Sequence, residues 1–150
     1  MTNKNRQQLM AQFRNKCKEH GLRVTPQRVM IYEELLKSRD HPSPDRLYSR
    51  LILVFPELSF DTVYRTLSTF NDMGLVDLVE GYGTAMRFDP ELEKHHHFRC
   101  KKCGKITDFN FKQYDELTVP KDIAKKCEIM KLQVTIEGLC EKCKYKIKNT

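Results

Sequence analysis

Two Cys-x-x-Cys pairs, Cys100/Cys103 and Cys140/Cys143, restrict this chain more than any other feature of its sequence. Four thiolates at that spacing form two knuckles that close a tetrahedral site around one zinc ion. The wide gap between the pairs means that such an ion ties the start of the rear half to its end. Gly104 lets the backbone turn tightly behind the first pair, and Lys101, Lys102, Lys142 and Lys144 offset the charge of an all-thiolate site. Structural zinc of this kind contributes on the order of 10 kcal/mol, comparable with the whole stability of a small domain. The same spacing also admits a pair of disulfides or a redox-active Cys-x-x-Cys. Cys17 and Cys127 stand outside the pattern and read as core or near-surface thiols.

The 150 residues suffice for one domain or for two small ones sharing a waist. A half of about 60 to 85 residues has a thin core and needs a metal, a disulfide or a second subunit. No run of roughly 18 apolar residues occurs, and the opening MTNKNRQQLMAQF lacks the apolar stretch of a signal peptide. A soluble, cytoplasmic protein with no membrane partner is therefore expected. The net charge of +7 admits nucleic acid as a partner. Residues 1–28 hold seven Lys and Arg against one Glu, whereas residues 41–80 hold three against six acidic side chains. Attraction to phosphate would thus begin at the first helix.

Caps and apolar spacing place four helices in the front half. The first runs from about Arg6 to His20, with Met10, Phe13 and Cys17 on one stripe and Gly21 at a left-handed C-cap; His20 suits a helix C-terminus. Thr25-Pro26 starts the second, which turns Val29, Tyr32, Leu35 and Leu36 inward. Ser43-Pro44 starts the third, with Leu47, Tyr48, Leu51 and Ile52 inward before Pro56. Ser59 caps the fourth, whose Phe60, Val63, Leu67 and Phe70 share one face and leave Asp61, Tyr64, Arg65 and Ser68 on the other. Two extended runs around Gly81-Tyr82-Gly83 then predict a β-hairpin. Helices followed by such a hairpin spell a winged helix-turn-helix.

Asp89-Pro90 and the charged ELEK segment read as a hinge. Beyond it the pattern predicts strands at His95–Cys100 and Lys105–Phe109, a short helix near Pro120–Lys126, and a strand in which Met130, Leu132, Val134 and Ile136 alternate with polar neighbours. On the first of these strands His95 and His97 share a face, with roots about 7 Å apart, and His96 points the other way. Asp89 lies upstream, Asp108 on the adjacent strand, and His41 between the second and third helices. Imidazoles and carboxylates in that mix suit ferrous iron, manganese or zinc. The bland alternative is a set of solvated histidines near a turn.

These residues resemble the ferric uptake regulator family. The resemblance rests on GLRVTPQR at Gly21–Arg28, HPSPDRLY at His41–Tyr48, TVYRTL at Thr62–Leu67, HHHFRCKKCGKITDF at His95–Phe109 and CEKC at Cys140–Cys143, which span nearly the whole chain in order. It implies an α+β fold, with a winged helix DNA-binding domain over residues 1–89 and an α/β dimerisation domain with structural zinc over residues 90–150. It implies that Cys100, Cys103, Cys140 and Cys143 hold Zn2+, and that His41, Asp89, His95, His97 and Asp108 hold a regulatory Fe2+ or Mn2+. Tyr64 and Arg65 match positions facing the DNA major groove, and Arg23 is counted with them. Aspartate at 89 and 108 resembles the peroxide-sensing branch, in which His41 and His95 would be the oxidation-sensitive ligands. Arg65 instead resembles the iron-sensing members. A third metal site found in some members uses a histidine before the last cysteine pair; residues 128–139 contain none, which implies that this site is absent or weakened.

The expected function is that of a homodimeric, metal-dependent repressor that binds a double-stranded DNA operator and responds to peroxide, or alternatively senses iron and represses iron uptake genes, and is not an enzyme. A metal-dependent hydrolase is the rival from chemistry, since His and Asp around an ion can activate water. It is opposed by the lack of a nucleophile motif and of a phosphate-binding Gly-rich loop. A zinc-ribbon module that binds protein is the other rival, and salt-dependent binding to duplex DNA separates it from a repressor.

Overall fold

The computed structural model describes residues 3–80 and 86–148 and divides into two compact units, one ending at Leu92 and the other beginning at Glu93. The front unit runs through α1 (Asn3–Glu19), α2 (Pro26–Lys37), α3 (Pro44–Leu51), α4 (Phe60–Asp72), β1 (Asp77–Glu80) and β2 (Met86–Asp89). Thr25, Ser43 and Ser59 each take an extended conformation and accept the N–H of Arg28, Arg46 and Thr62, which satisfies a donor the first helical turn would leave bare. The strands pair antiparallel from Asp77 opposite Asp89 to Glu80 opposite Met86, so this unit is a winged helix-turn-helix. The expected turn at Gly81-Tyr82-Gly83 lies outside the described residues.

α1 and α4 end alike. Gly21 (φ 63°) and Gly74 (φ 66°) follow the two helices, and Leu22 N–H and Leu75 N–H reach back to the carbonyls of Cys17 and Phe70. That closure needs the left-handed residue that glycine supplies without strain. The core forms where the helix stripes meet: the ring of Phe13 lies 4.8 Å from Tyr32 and 5.6 Å from Phe70, with Ile31, Leu35, Leu47, Val63 and Leu67 fully enclosed around them. One expected core position fails. Phe60 is 40% exposed and meets the ring of Tyr48 edge-on, because it opens α4 one turn before the helix reaches the core, and Thr66 is buried between Val63 and Leu67.

The rear unit holds β3 (His96–Cys100), β4 (Ile106–Phe109), α5 (Lys112–Asp115), α6 (Lys121–Lys126), β5 (Thr135–Gly138) and α7 (Glu141–Lys148). Its sheet order is β4-β3-β5, with β3 antiparallel to β4 and parallel to β5. The alternating run from Met130 becomes strand only at Thr135. β3 offers partners from His97 to Cys100, against Thr135 to Gly138, so residues before that point extend past its end and Met130 is exposed. The pattern also missed α5, a single turn, and α7, a lysine-rich helix that grows out of the second knuckle. No helix among the described residues is long and apolar enough to cross a membrane.

Candidate metal centres

The rear unit brings its four knuckle cysteines together. Their sulfurs all lie within 4.8 Å of one another, and Cys103 Sγ stands 3.7 Å from Cys140 Sγ. All six cysteines of the chain are free thiols. A tetrahedral ion with Zn–S bonds of about 2.3 Å would hold sulfurs about 3.8 Å apart, so the quartet fits zinc without rearrangement. The fold explains the convergence. Cys100 ends β3, Cys140 follows β5 on the neighbouring strand, and α7 carries Cys143 one turn on. Gly104 (φ 71°) donates its N–H to Cys100 O at 2.9 Å and turns the first knuckle, while Lys101 N–H bonds Gly138 O at 2.8 Å and fastens it to β5.

Charge in the quartet is unevenly spread. N–H groups, first that of Cys140 at 3.3 Å and then that of Cys103, point at Cys100 and bring its thiol down to about 6, a value that leaves it ionised at neutral pH. Burial pushes the Cys143 thiol up to about 12, and the neighbouring sulfurs push the same way. A cysteine binds zinc as its thiolate, so zinc loading would drive off the proton on Cys143 and would strengthen as pH rises.

The imidazoles and carboxylates form two groups, one in each unit. In the front unit His41 Nε2 lies 3.1 Å from Asp89 Oδ2, with both side chains almost fully enclosed. In the rear unit His97 faces Asp108 across the β3–β4 ladder, its Nε2 being 3.3 Å from Asp108 Oδ1 and 2.9 Å from His95 Nε2. Nδ1 of His95 lies 2.7 Å from the carbonyl of Glu93, which can only accept, so the lone pair of this ring sits on Nε2. A ring so oriented, meeting a second imidazole nitrogen and a carboxylate, has the donors that could hold a divalent ion. His96 differs. Val134 N–H donates to its Nδ1 and its Nε2 lies 3.1 Å from Asp115 Oδ1, so both nitrogens are spent on the fold, with Phe109 and Tyr114 around the ring. That role was invisible in the sequence, because its partners come from α5 and from the run before β5.

Tyr64 and Arg65 stand exposed on α4, and Arg65 Nε is held 2.9 Å from Asp61 Oδ2, one turn earlier. Arg23 is also exposed, and its carbonyl accepts a hydrogen bond from Arg28. The sequence further missed Arg87, a buried cation on β2 whose guanidinium meets the loop that carries His41.

Known proteins resemble this chain in sequence and fold. The chain is 36% identical over 124 residues to the peroxide-responsive repressor PerR of Staphylococcus epidermidis, covering 83% of each chain. It superposes on the Campylobacter jejuni peroxide stress regulator with a TM-score of 0.66 at 33% identity, covering 84% of this chain and 95% of that one. A ferric uptake regulator of Francisella tularensis, solved with iron, gives a TM-score of 0.68 at 27% identity over 83% of this chain and 96% of that one. The model of the ferric uptake regulator family matches residues 19–137, the stretch that holds the helix-turn-helix, the first knuckle and every imidazole and carboxylate described above, and to that family the chain belongs.

Proposed function

We propose that this protein is a dimeric, metal-dependent DNA-binding repressor that responds to peroxide. The observation that carries the reading is the pair of half-sets, His41 with Asp89 and His95, His97 with Asp108, in a chain 36% identical to a peroxide-responsive repressor. Two to three donors each are too few to satisfy a transition-metal ion, and their mixture of imidazole and carboxylate suits Fe2+ or Mn2+. In this reading all five side chains share one ion, residues 1–89 bind DNA and residues 90–150 dimerise. A divalent ion bound there supplies a fixed point common to both units, and as Fe2+ it also supplies electrons to peroxide. His41 and Asp89 bring the winged helix unit to that point, while His95, His97 and Asp108 bring the rear unit. The resulting orientation sets the two α4 helices of a dimer about 34 to 36 Å apart, the spacing of successive major-groove turns.

The test is oxidation of the ligands. Iron-loaded protein treated with hydrogen peroxide is expected to lose operator binding and to gain the mass of one oxygen on the peptides carrying His41 or His95, whereas the manganese-loaded protein gains none. Unmodified peptides with operator binding intact would leave plain iron sensing in its place.

Tyr64 and Arg65 present the exposed face of α4 to base edges, and Arg23 supplies a further contact to DNA. Arg65→Ala is expected to weaken operator binding by about 1 to 3 kcal/mol and to relax preference at one base position. A uniform loss on every duplex, with a shallower salt dependence, would make Arg65 a phosphate contact instead.

A further inference from the structure

His41 is the one non-glycine among the described residues with a left-handed backbone, at φ 47°. L-residues reach that region at a cost, and a single residue stays there only when its surroundings hold it. The holding groups come from β2. Arg87, 7% exposed, donates from Nε to the carbonyl of His41 at 2.5 Å and from a terminal nitrogen to the carbonyl of Asp40. Phe88 N–H reaches Pro42 O at 3.3 Å, so consecutive residues of the strand grip consecutive residues of the loop. Asp40 is fastened from the other side by Arg50 at 2.7 Å and Arg46 at 3.6 Å, both on α3, and Arg50 also bonds Ser38 Oγ.

Residues two apart on a strand share a face, so Arg87 and Asp89 project together from β2 toward the α2–α3 loop. One takes the backbone of Asp40 and His41, and the other meets the His41 ring at 3.1 Å. A planar guanidinium offers several donors in a fixed fork, which suits two adjacent carbonyls; a lysine ammonium at the end of a flexible stem does not impose that geometry. A cation buried this deeply costs free energy unless its donors are used, and two of them go to the carbonyls of Asp40 and His41, beside a candidate ligand.

We propose that Arg87 is the positioning residue of the regulatory metal site, holding the His41 backbone in the left-handed conformation that turns its imidazole to Asp89. The proposal rests on the reading of His41 and Asp89 as ligands. Groups that orient a ligand without touching the ion change metal affinity by about 10- to 100-fold, and Arg87 belongs with them.

The experiment is a double-mutant cycle on the full-length, zinc-replete protein, with Mn2+ binding read from the electron paramagnetic resonance of the unbound ion. Arg87→Met is expected to raise the Kd for Mn2+ by about 10- to 100-fold, with zinc content and far-UV circular dichroism unchanged. Arg87→Lys keeps the charge, loses the fork and should also weaken binding; it serves if the Met variant does not fold. The double variant with His41→Ala should bind Mn2+ no more weakly than His41→Ala alone, because Arg87 acts through a ring that is no longer there. A general structural loss would instead multiply in the double variant, and that result, or an unchanged Kd in folded Arg87→Met or Arg87→Lys, overturns the proposal. Should His41→Ala itself leave Mn2+ binding intact, the ligand assignment falls first and Arg87 falls with it.

Discussion

Replacing Cys140 and Cys143 together with serine is expected to unfold the rear unit while the front unit keeps its structure. Among the described hydrophobic side chains of the rear unit, Cys100, Ile106 and Cys143 are the buried ones, so two of its three apolar anchors belong to the quartet itself. The front unit has its own cluster, from Phe13 through Phe70 to Phe88. An all-thiolate zinc site contributes on the order of 10 kcal/mol apparent, and whole domains are stable by only about 5 to 15 kcal/mol. Without the ion the rear sheet has little left to offset the entropy of ordering its chain. Hydrogen exchange followed by mass spectrometry should show the amides of β3, β4 and β5 losing protection in this variant and in wild type stripped by a chelator. α2 and α4 should exchange as before. Rear-sheet amides that stay as protected as in zinc-replete protein would mean that the quartet is not a structural support.

What the sequence disclosed is what is encoded locally. Thr25-Pro26, Ser43-Pro44 and Ser59 each hold both the acceptor and the start of the helix they cap, so three helix beginnings could be read to the residue. The Cys-x-x-Cys spacing likewise contains its own geometry, and strand alternation alone puts His95 and His97 on one face and His96 on the other. The failures share the opposite cause. β5 begins at Thr135 rather than near Met130 because its parallel partner β3 begins only at His96, a fact that belongs to another segment. Phe60 follows the helical stripe of α4 yet lies beyond the core that the stripe serves. Arg87 and the left-handed His41 are separated by 46 positions, and neither residue type announces the other. The candidate ligands could thus be listed from the sequence, but the groups that aim them could not.

His97→Ala is expected to abolish the stimulation of operator binding by Mn2+ or Fe2+ while leaving zinc content and dimerisation unchanged. His97 is 2% exposed and lies at the centre of its half-set, with Nε2 within 3.3 Å of both His95 and Asp108 partner atoms. Its backbone N–H bonds Val134 O at 3.0 Å, and the substitution does not touch that bond, so the sheet keeps its ladder. Turning a population from about 1:99 to 99:1 takes a preference of roughly 10^4-fold, near 5.5 kcal/mol, for one form, here the DNA-binding form in which one ion joins the two units. An ion that has lost one of its imidazoles gives up a large part of that preference, and the form with the units apart then predominates at any metal concentration that leaves the zinc site undisturbed. The decisive comparison is with His41→Ala, which removes a ligand from the other unit. If one ion joins both units, either substitution frees the units from it, and the pair together should weaken metal-stimulated binding no further than each alone. Losses that multiply in the double variant would mean that the two half-sets bind separate ions. Mn2+ stimulation that survives His97→Ala would overturn the reading of one ion shared by both units, because no arrangement of the remaining rear-unit donors keeps an imidazole on the β3 position that faces Asp108.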